Sequence, residues 1–240
     1  MRILLTNDDS ISASQLVPLA RWCKKLGEVT VVVPKYEQSG KSHGIEMHKP
    51  FEAKQVQLAD DVVAWSVDST PADCVRFAIL GLCGEFDLGI SGINRGLNVG
   101  ADMMYSGTVS AACEAVGHGV RALALSTSPE YYDSAVSQLD RVLEYFERNS
   151  LWEHNNIYNV NIPGAAPEIK ITRQGGPYYS DDFEAMGNHM YHARGKSVWV
   201  DRNDNTLDTD ATLHGYITIT PLTLDRTDKT VFEKLSRLNK

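Results

Sequence analysis

Cysteine is scarce, and its spacing excludes several chemistries. The four cysteines, at 23, 74, 83 and 113, form no Cys-x-x-Cys pair. A dithiol redox motif and a paired-cysteine zinc site are therefore ruled out, and reduced core thiols in a reducing compartment are expected. Long apolar runs are also missing. No stretch reaches the ~18 residues that cross a bilayer, and Ile3–Leu5 is far too short for a signal peptide, so no membrane association and a cytoplasmic location are expected. Positive charge is in deficit: 23 Lys and Arg stand against 31 Asp and Glu, a net −8 with no basic cluster. This argues against binding of a nucleic-acid polymer, and a phosphate substrate would need a local cation to receive it. The seven histidines (His43, His48, His118, His154, His189, His192, His214) show neither His-x-x-x-His nor His-Glu-x-x-His spacing. None is assigned as a ligand, although His43 lies on the same loop as Ser39. No internal repeat or low-complexity tract is present.

The organising stretch lies near the start. Ile3-Leu4-Leu5-Thr6 is a short apolar run that breaks into Asn7-Asp8-Asp9. Such a run before a helical pattern reads as a buried first strand of an α/β sheet, and in open α/β sheets the chemistry sits beyond the carboxyl ends of the strands. Adjacent carboxylates there repel unless a cation lies between them, and a hard divalent ion is the natural occupant. Taken alone, Asn-Asp-Asp fits a turn and helix cap equally well. The loop lacks Gly-x-Gly-x-x-Gly, which leaves a dinucleotide-binding module with little support. It also lacks Asp-x-Asp, which counts against a phosphatase working through an aspartyl-phosphate.

Downstream, the spacing predicts a helix over 14–26 with Pro18 in its first turn, then a buried strand Val29–Val33. Together these form a βαβ unit and imply a parallel sheet. The loop Pro34–Gly40 leaves the same rim as Asp8 and Asp9. Residues 45–68 read as hairpin material with a strand Val62–Val67. Thr70-Pro71-Ala72-Asp73 is a helix start, capped by Thr70 with Pro71 at the first helical position, and Val75, Ala78, Ile79 and Leu82 mark the buried face. Phe86–Ile90 reads as a strand that enters a long Gly- and Asn-rich loop, Ser91–Gly100; loops of this kind are uncommon unless they work. Asn94 follows a strand end, and its amide oxygen suits a hard metal. Ser106 reads as the cap of a helix over 107–118, whose first N–H groups, at Gly107, Thr108 and Val109, form an anion site. Further strands are expected at Leu123–Ser126 and Ile157–Ile162, with a long helix through Ala135, Leu139, Val142, Leu143 and Phe146 between them.

Beyond Gly164 the pattern changes. Ile169–Arg173, Lys196–Val200 and Tyr216–Thr220 are strand-like, with a turn expected at Gly175-Gly176, and weak helical periodicity returns at Lys229–Leu238. We expect a catalytic α/β domain over 1–164 and a β-rich extension over 165–240 that serves as an oligomerisation arm. Tyr178, Tyr179 and Trp199 are candidates for stacking a base, with core or interface packing the commoner role for such residues.

Several segments, taken in order, resemble one family: Leu4-Leu5-Thr6-Asn7-Asp8-Asp9, Gln38-Ser39-Gly40, Thr70-Pro71-Ala72-Asp73-Cys74-Val75, Ser91-Gly92-Ile93-Asn94 with Gly96 and Asn98, Tyr105-Ser106-Gly107-Thr108-Val109, Asn159–Pro163 and Gly215–Leu222. Over nearly its whole length the chain resembles the SurE family of metal-dependent 5′/3′-nucleotidases. That resemblance implies a Rossmann-like three-layer α/β/α sandwich with a β-rich C-terminal extension exchanged in a homodimer or homotetramer. It also implies one divalent ion per subunit, Mg²⁺ or Mn²⁺, on Asp8, Asp9, Ser39 and Asn94; of the two catalytic carboxylates we expect Asp8 to bind the metal and orient the attacking water, and Asp9 to be mainly a ligand. Asn98, Ser106, Gly107 and Thr108 would bind the phosphate of nucleoside monophosphates, and short polyphosphate is a further substrate of some members. Two positions depart from the family pattern: Ser10 stands where glycine usually follows the aspartates, and Tyr36 stands where arginine is usual.

Overall fold

Side chains alternate across a strand, and in Ile3-Leu4-Leu5 that alternation sorts the whole core into two layers. The computed structural model describes residues 1–165 and 168–239; residues 166, 167 and 240 of the C-terminal segment lie outside the described residues. Strand β1 (Arg2–Thr6) sends Ile3 and Leu5 into one apolar cluster and Leu4 into the other. Helix α1 (Leu16–Lys24) covers the first face with Leu16, Leu19, Ala20 and Cys23, and Pro18 falls in its first turn, where no backbone donor is lost. Strand β2 (Glu28–Pro34) pairs in parallel with β1, with Val31 and Val33 on the α1 face and Val32 on the other. Strands β3 (Ala53–Ala59) and β4 (Val62–Val67) form an antiparallel hairpin at the sheet edge, β4 running parallel to β2.

Helix α2 (Pro71–Arg76) starts as the sequence indicates: the Thr70 hydroxyl accepts the Asp73 N–H at 3.1 Å, and Pro71 opens the helix. A wider turn over Phe77–Gly81 continues it, so Val75 and Ala78 are fully buried while Ile79 and Leu82 are only partly covered. Strand β5 (Leu88–Arg95) runs past the expected end at Ile90 and takes in half of the expected loop. Gly92 makes this possible. It adopts φ +137°, and a Cβ there would lie 2.3 Å from the Leu125 carbonyl oxygen. A register shift between Ser91 and Asn94 then lets Asn94 and Arg95 pair again with the next strand.

Helix α3 (Gly107–Gly117) packs on the second face through Ala111, Ala112 and Ala115, which allow a close approach. Strand β6 (Ala122–Thr127) and strand β7 (Ile157–Ile162) are buried at every residue. The helical stretch between them is tight 3-10 turns over Pro129–Gln138 and then helix α4 (Leu139–Arg148), which joins α1 on the first face. Helices α1 and α4 on one side, and α2 and α3 on the other, make a three-layer Rossmann-like α/β/α sandwich, as expected.

The last third both extends the sheet and leaves it. Strand β8 (Ile169–Ile171) lies at the sheet's far edge. Strands β9 (Tyr179–Gly187) and β10 (Met190–Ser197) form a separate antiparallel hairpin, exposed along its whole length. β9 was not expected, and the Lys196–Val200 strand is corrected: β10 ends at Ser197. A short helix, α5 (Asp208–Leu213), was also not expected; its buried face is polar, with Asp208, Thr209, Asp210 and Thr212, so it has no apolar stripe to read. Strand β11 (Ile217–Pro221) pairs antiparallel with β7 and parallel with β8. Helix α6 (Lys229–Leu235) buries none of its residues. The full order is β3-β4-β2-β1-β5-β6-β7-β11-β8. The chain moves outward from β1 to β2 on one side and later to β5 on the other, so the crevice beyond the ends of β1 and β5 is the topological switch point.

Candidate active site

Asp8 and Asp9 follow β1, Ser39 lies in the loop after β2, and Asn94 sits near the end of β5. All four open onto that crevice, a cleft of about 370 Å³ also lined by Glu37, Gly40, Arg95, Asn98, Asp102, Tyr105 and Ser106. Six of the eight residues singled out from sequence are thus brought together. The other two, Gly107 and Thr108, stand behind the cleft wall, against Asp8.

Asp8 is only 4% exposed. The Thr108 hydroxyl donates to its Oδ1. At Gly107 a Cβ would stand 3.0 Å from the Asp8 Cβ and 3.1 Å from Oδ2, so a side chain there would crowd the carboxylate. The helix start therefore packs directly against Asp8. The Val109 N–H, expected to be free, is taken by the Ser106 hydroxyl at 3.1 Å as the helix cap. Burial pushes the Asp8 carboxyl up to about 6; the Thr108 hydroxyl opposes this and the neighbouring Asp9 charge adds to it. Burial raises Asp9 too, opposed by the Arg95 N–H, which donates to Oδ2 at 2.9 Å.

Asn94 donates its amide to the Gly96 carbonyl at 2.8 Å, which leaves its side-chain oxygen as the remaining acceptor. Asn98 rests on a buried polar platform. Its N–H donates to Asn161 Oδ1 at 2.9 Å, its carbonyl accepts from the Asn159 and Asn161 amides at 2.7 and 2.9 Å, and its own amide donates to the Ser126 hydroxyl at 2.8 Å. This explains why two asparagines lie inside a fully buried strand. The Ser39 hydroxyl donates to Glu37 Oε1 at 2.7 Å on an exposed loop.

The donor set suits a hard cation. It is two carboxylates, an amide oxygen and a hydroxyl, all oxygen, with no thiolate or imidazole on the cleft wall. Among the described residues neither Asp8 nor Asp9 forms an ion pair, although both are carboxylates raised by burial. No group of three or more His, Cys, Asp or Glu suited to a metal occurs among the described residues, so a cation in this cleft would need Ser39 and Asn94 as well as the two aspartates. Sequence reasoning missed Glu37, Arg95, Asp102 and Tyr105. Arg95 is the one cation among the lining residues, and its guanidinium carbon lies 5.8 Å from the Tyr132 ring centre. Tyr178, Tyr179 and Trp199 do not line the cleft: the tyrosine rings meet edge to face at 4.6 Å, and the Trp199 N–H donates to Asp210 at 3.0 Å.

Residues 3–181 match the family model described as Survival protein SurE. The chain belongs to the SurE family. A relative named 5′-nucleotidase SurE from Pelotomaculum thermopropionicum is 38% identical over 249 residues, covering 100% of this chain and 96% of its own length. One of the same name from Desulforudis audaxviator is also 38% identical, over 252 residues, covering 100% and 97%. The crystal structure of the SurE protein from Aquifex aeolicus has a TM-score of 0.78 at 31% identity and covers 100% of both chains. Ser10 now has a physical meaning in this SurE-family chain. It adopts φ +77°, the left-handed region, directly after the aspartate pair, where a glycine would be unstrained.

Proposed function

We propose that this chain is a metal-dependent 5′-nucleotidase that hydrolyses nucleoside 5′- and 3′-monophosphates to nucleoside and phosphate, with short polyphosphate as a further substrate. The observation that carries the reading is the convergence of Asp8, Asp9, Ser39 and Asn94 on one cleft at the switch point of a SurE-family sheet. Those four residues would hold one Mg²⁺ or Mn²⁺ per subunit. When bound, the ion lowers the pKa of its water and draws off charge from the phosphoryl oxygens. Asp8, held by Thr108 against the start of α3, orients the attacking water; Asp9 is chiefly a ligand. Asn98, fixed by Asn159, Asn161 and Ser126, donates to the phosphate together with Ser106. Gly107 and Thr108 bring the positive end of the helix close behind them. Arg95 offsets the surplus of acid in a cleft that also contains Glu37 and Asp102.

Self-association as a homodimer or homotetramer belongs to the same reading. The β9–β10 hairpin exposes Phe183, Met186, Met190 and Tyr191, and the C-terminal helix and the turn after it expose Phe232, Leu235 and Leu238, apolar side chains that a second copy would cover. No described helix is long and apolar enough to cross a membrane, and a cytoplasmic location is part of the proposal. The test is phosphate release from AMP, 3′-AMP and tripolyphosphate with Mg²⁺, with Mn²⁺ and with chelator. Metal-dependent release from AMP is the expected result, and release unaffected by chelation would overturn the reading.

A further inference from the structure

The loop after β2 has no regular structure, and Ser39 on it is exposed, yet its two ends are tied down tightly. On one side the Lys35 N–H donates to the Val67 carbonyl at 2.7 Å and the Gln38 N–H to the Asp8 carbonyl at 2.9 Å. On the other, the Ser42 N–H donates to the Tyr105 carbonyl at 3.0 Å and the Ser42 hydroxyl to the Met104 carbonyl at 2.6 Å. The next residue, His43, places Nε2 2.6 Å from Glu114 Oε2. Ser39, Gly40 and Lys41 lie between the two sets of anchors.

Glu114 belongs to α3, the same helix whose Thr108 holds Asp8. Six residues of helix separate the two contacts, about 9 Å of rise. One rigid element therefore grips the buried aspartate through its first turn and the exposed loop through Glu114. Glu114 is well suited to be a fixed acceptor. Its other oxygen meets His118 Nε2 at 3.1 Å and Arg76 Nη1 at 3.5 Å, and Arg76 reaches Asp73 at 3.7 Å. The His43 hydrogen bond, with His118 beside it, holds the Glu114 carboxyl below the usual range against the opposing effect of burial.

We propose that His43, anchored by Glu114, is a positioning residue for the metal centre: it fixes the loop so that the Ser39 hydroxyl is presented to the ion held by Asp8, Asp9 and Asn94. This rests on the reading of Ser39 as a ligand given above. Groups that orient a ligand from behind control metal affinity without touching the metal. The alternative is a plain tether between loop and helix, which would affect stability alone.

The experiment titrates Mn²⁺ into metal-free wild type, His43→Ala, His43→Gln, Ser39→Ala and the His43→Ala/Ser39→Ala double variant by calorimetry. Thermal midpoints and kcat at saturating Mn²⁺ are measured alongside. His43→Ala should weaken Mn²⁺ binding roughly tenfold, with kcat recovering as Mn²⁺ is raised to saturation. His43→Gln, which keeps a donor at the same reach, should restore most of the affinity. In the Ser39→Ala background the histidine substitution should cost less than about twofold, because its effect passes through Ser39. A lower midpoint in His43→Ala with unchanged Mn²⁺ affinity, while Ser39→Ala is impaired, overturns the proposal and leaves the ligand reading standing. Full additivity of the two substitutions also overturns it. Unchanged affinity in Ser39→Ala sinks both.

Discussion

The two walls of the cleft are built on opposite terms. At the end of β1, Asp8 is buried, bonded by Thr108, and pressed against a glycine that leaves no room for a side chain. Across from it, Ser39 stands in solvent on a loop, and its hydroxyl bond runs to another exposed residue, Glu37. The buried wall stores an electrostatic cost, because burial opposes a charged carboxylate at Asp8. The exposed wall stores none. The difference teaches that a site can combine a strained, pre-aimed half with an adaptable half that completes it. Substitutions on the two walls should then separate stability from function in opposite ways.

Removing the proposed metal should give the largest effect. Chelation should abolish phosphate release while far-ultraviolet circular dichroism stays near native, because Asp8, Asp9 and Ser39 sit on loops after strands and Asn94 near the end of β5, none of them in the two apolar layers. Loss of folded signal on chelation would mean that both walls depend on the ion.

Asp8→Asn comes next. It should lower kcat/KM by roughly 10²–10³ yet raise the thermal midpoint of the metal-free protein. The Asp8 carboxyl stands at about 6 in the fold against an ordinary 3.8. The folded state therefore holds the proton more tightly than the unfolded chain does. Its contribution is fully present below 3.8, declines as pH rises to about 6, and is lost above that. The cost at neutral pH is of order 2–3 kcal/mol, and relief of part of it is the predicted gain. Midpoints of wild type and variant between pH 4 and 7 should converge at the acid end.

On the other wall, Ser39→Ala should weaken Mn²⁺ roughly tenfold while stability changes by less than about 0.5 kcal/mol, as for most exposed sites. Arg95→Ala should raise KM for AMP about tenfold with a smaller change in kcat, since it is the one cation among the lining residues and is not among the proposed metal ligands. The smallest effect is Ser10→Gly, which relieves a positive φ at the cost of unfolded-state entropy and the Ser10 hydroxyl's bond to the Ser12 N–H at 3.2 Å. A stabilisation of about 0.5 kcal/mol in denaturant unfolding is expected.

The same contrast governs what the sequence revealed. The buried wall was legible because its signals are local. An apolar run breaking into Asn-Asp-Asp, and Ser-Gly-Thr before small residues, each name a strand end or a helix start. The starts of α2 and α3 followed from their caps for the same reason, whereas α1, expected over 14–26, spans only Leu16–Lys24 and has no side-chain cap. The continuation of β5 was hidden, because Gly92 and Asn94 read as loop, and only the neighbouring β6 lets the strand resume. Glu37 and Asp102 look like ordinary surface acids until the fold brings them together. Asp102 in addition accepts the Tyr178 and Tyr179 N–H groups at the root of the hairpin, a contact 77 residues apart for the second of them. Exposed β9 and β10 have no inward face and so no alternation to read, and α5 buries acids and threonines where a pattern search looks for leucine.

The most direct test is a crystal structure of the Mn²⁺-loaded protein with anomalous scattering from the metal. A single peak about 2.0–2.5 Å from oxygens of Asp8, Asp9, Ser39 and Asn94 is the predicted result. A peak held by other residues, or one that leaves Ser39 and Asn94 unligated, would contradict a centre assembled from both walls.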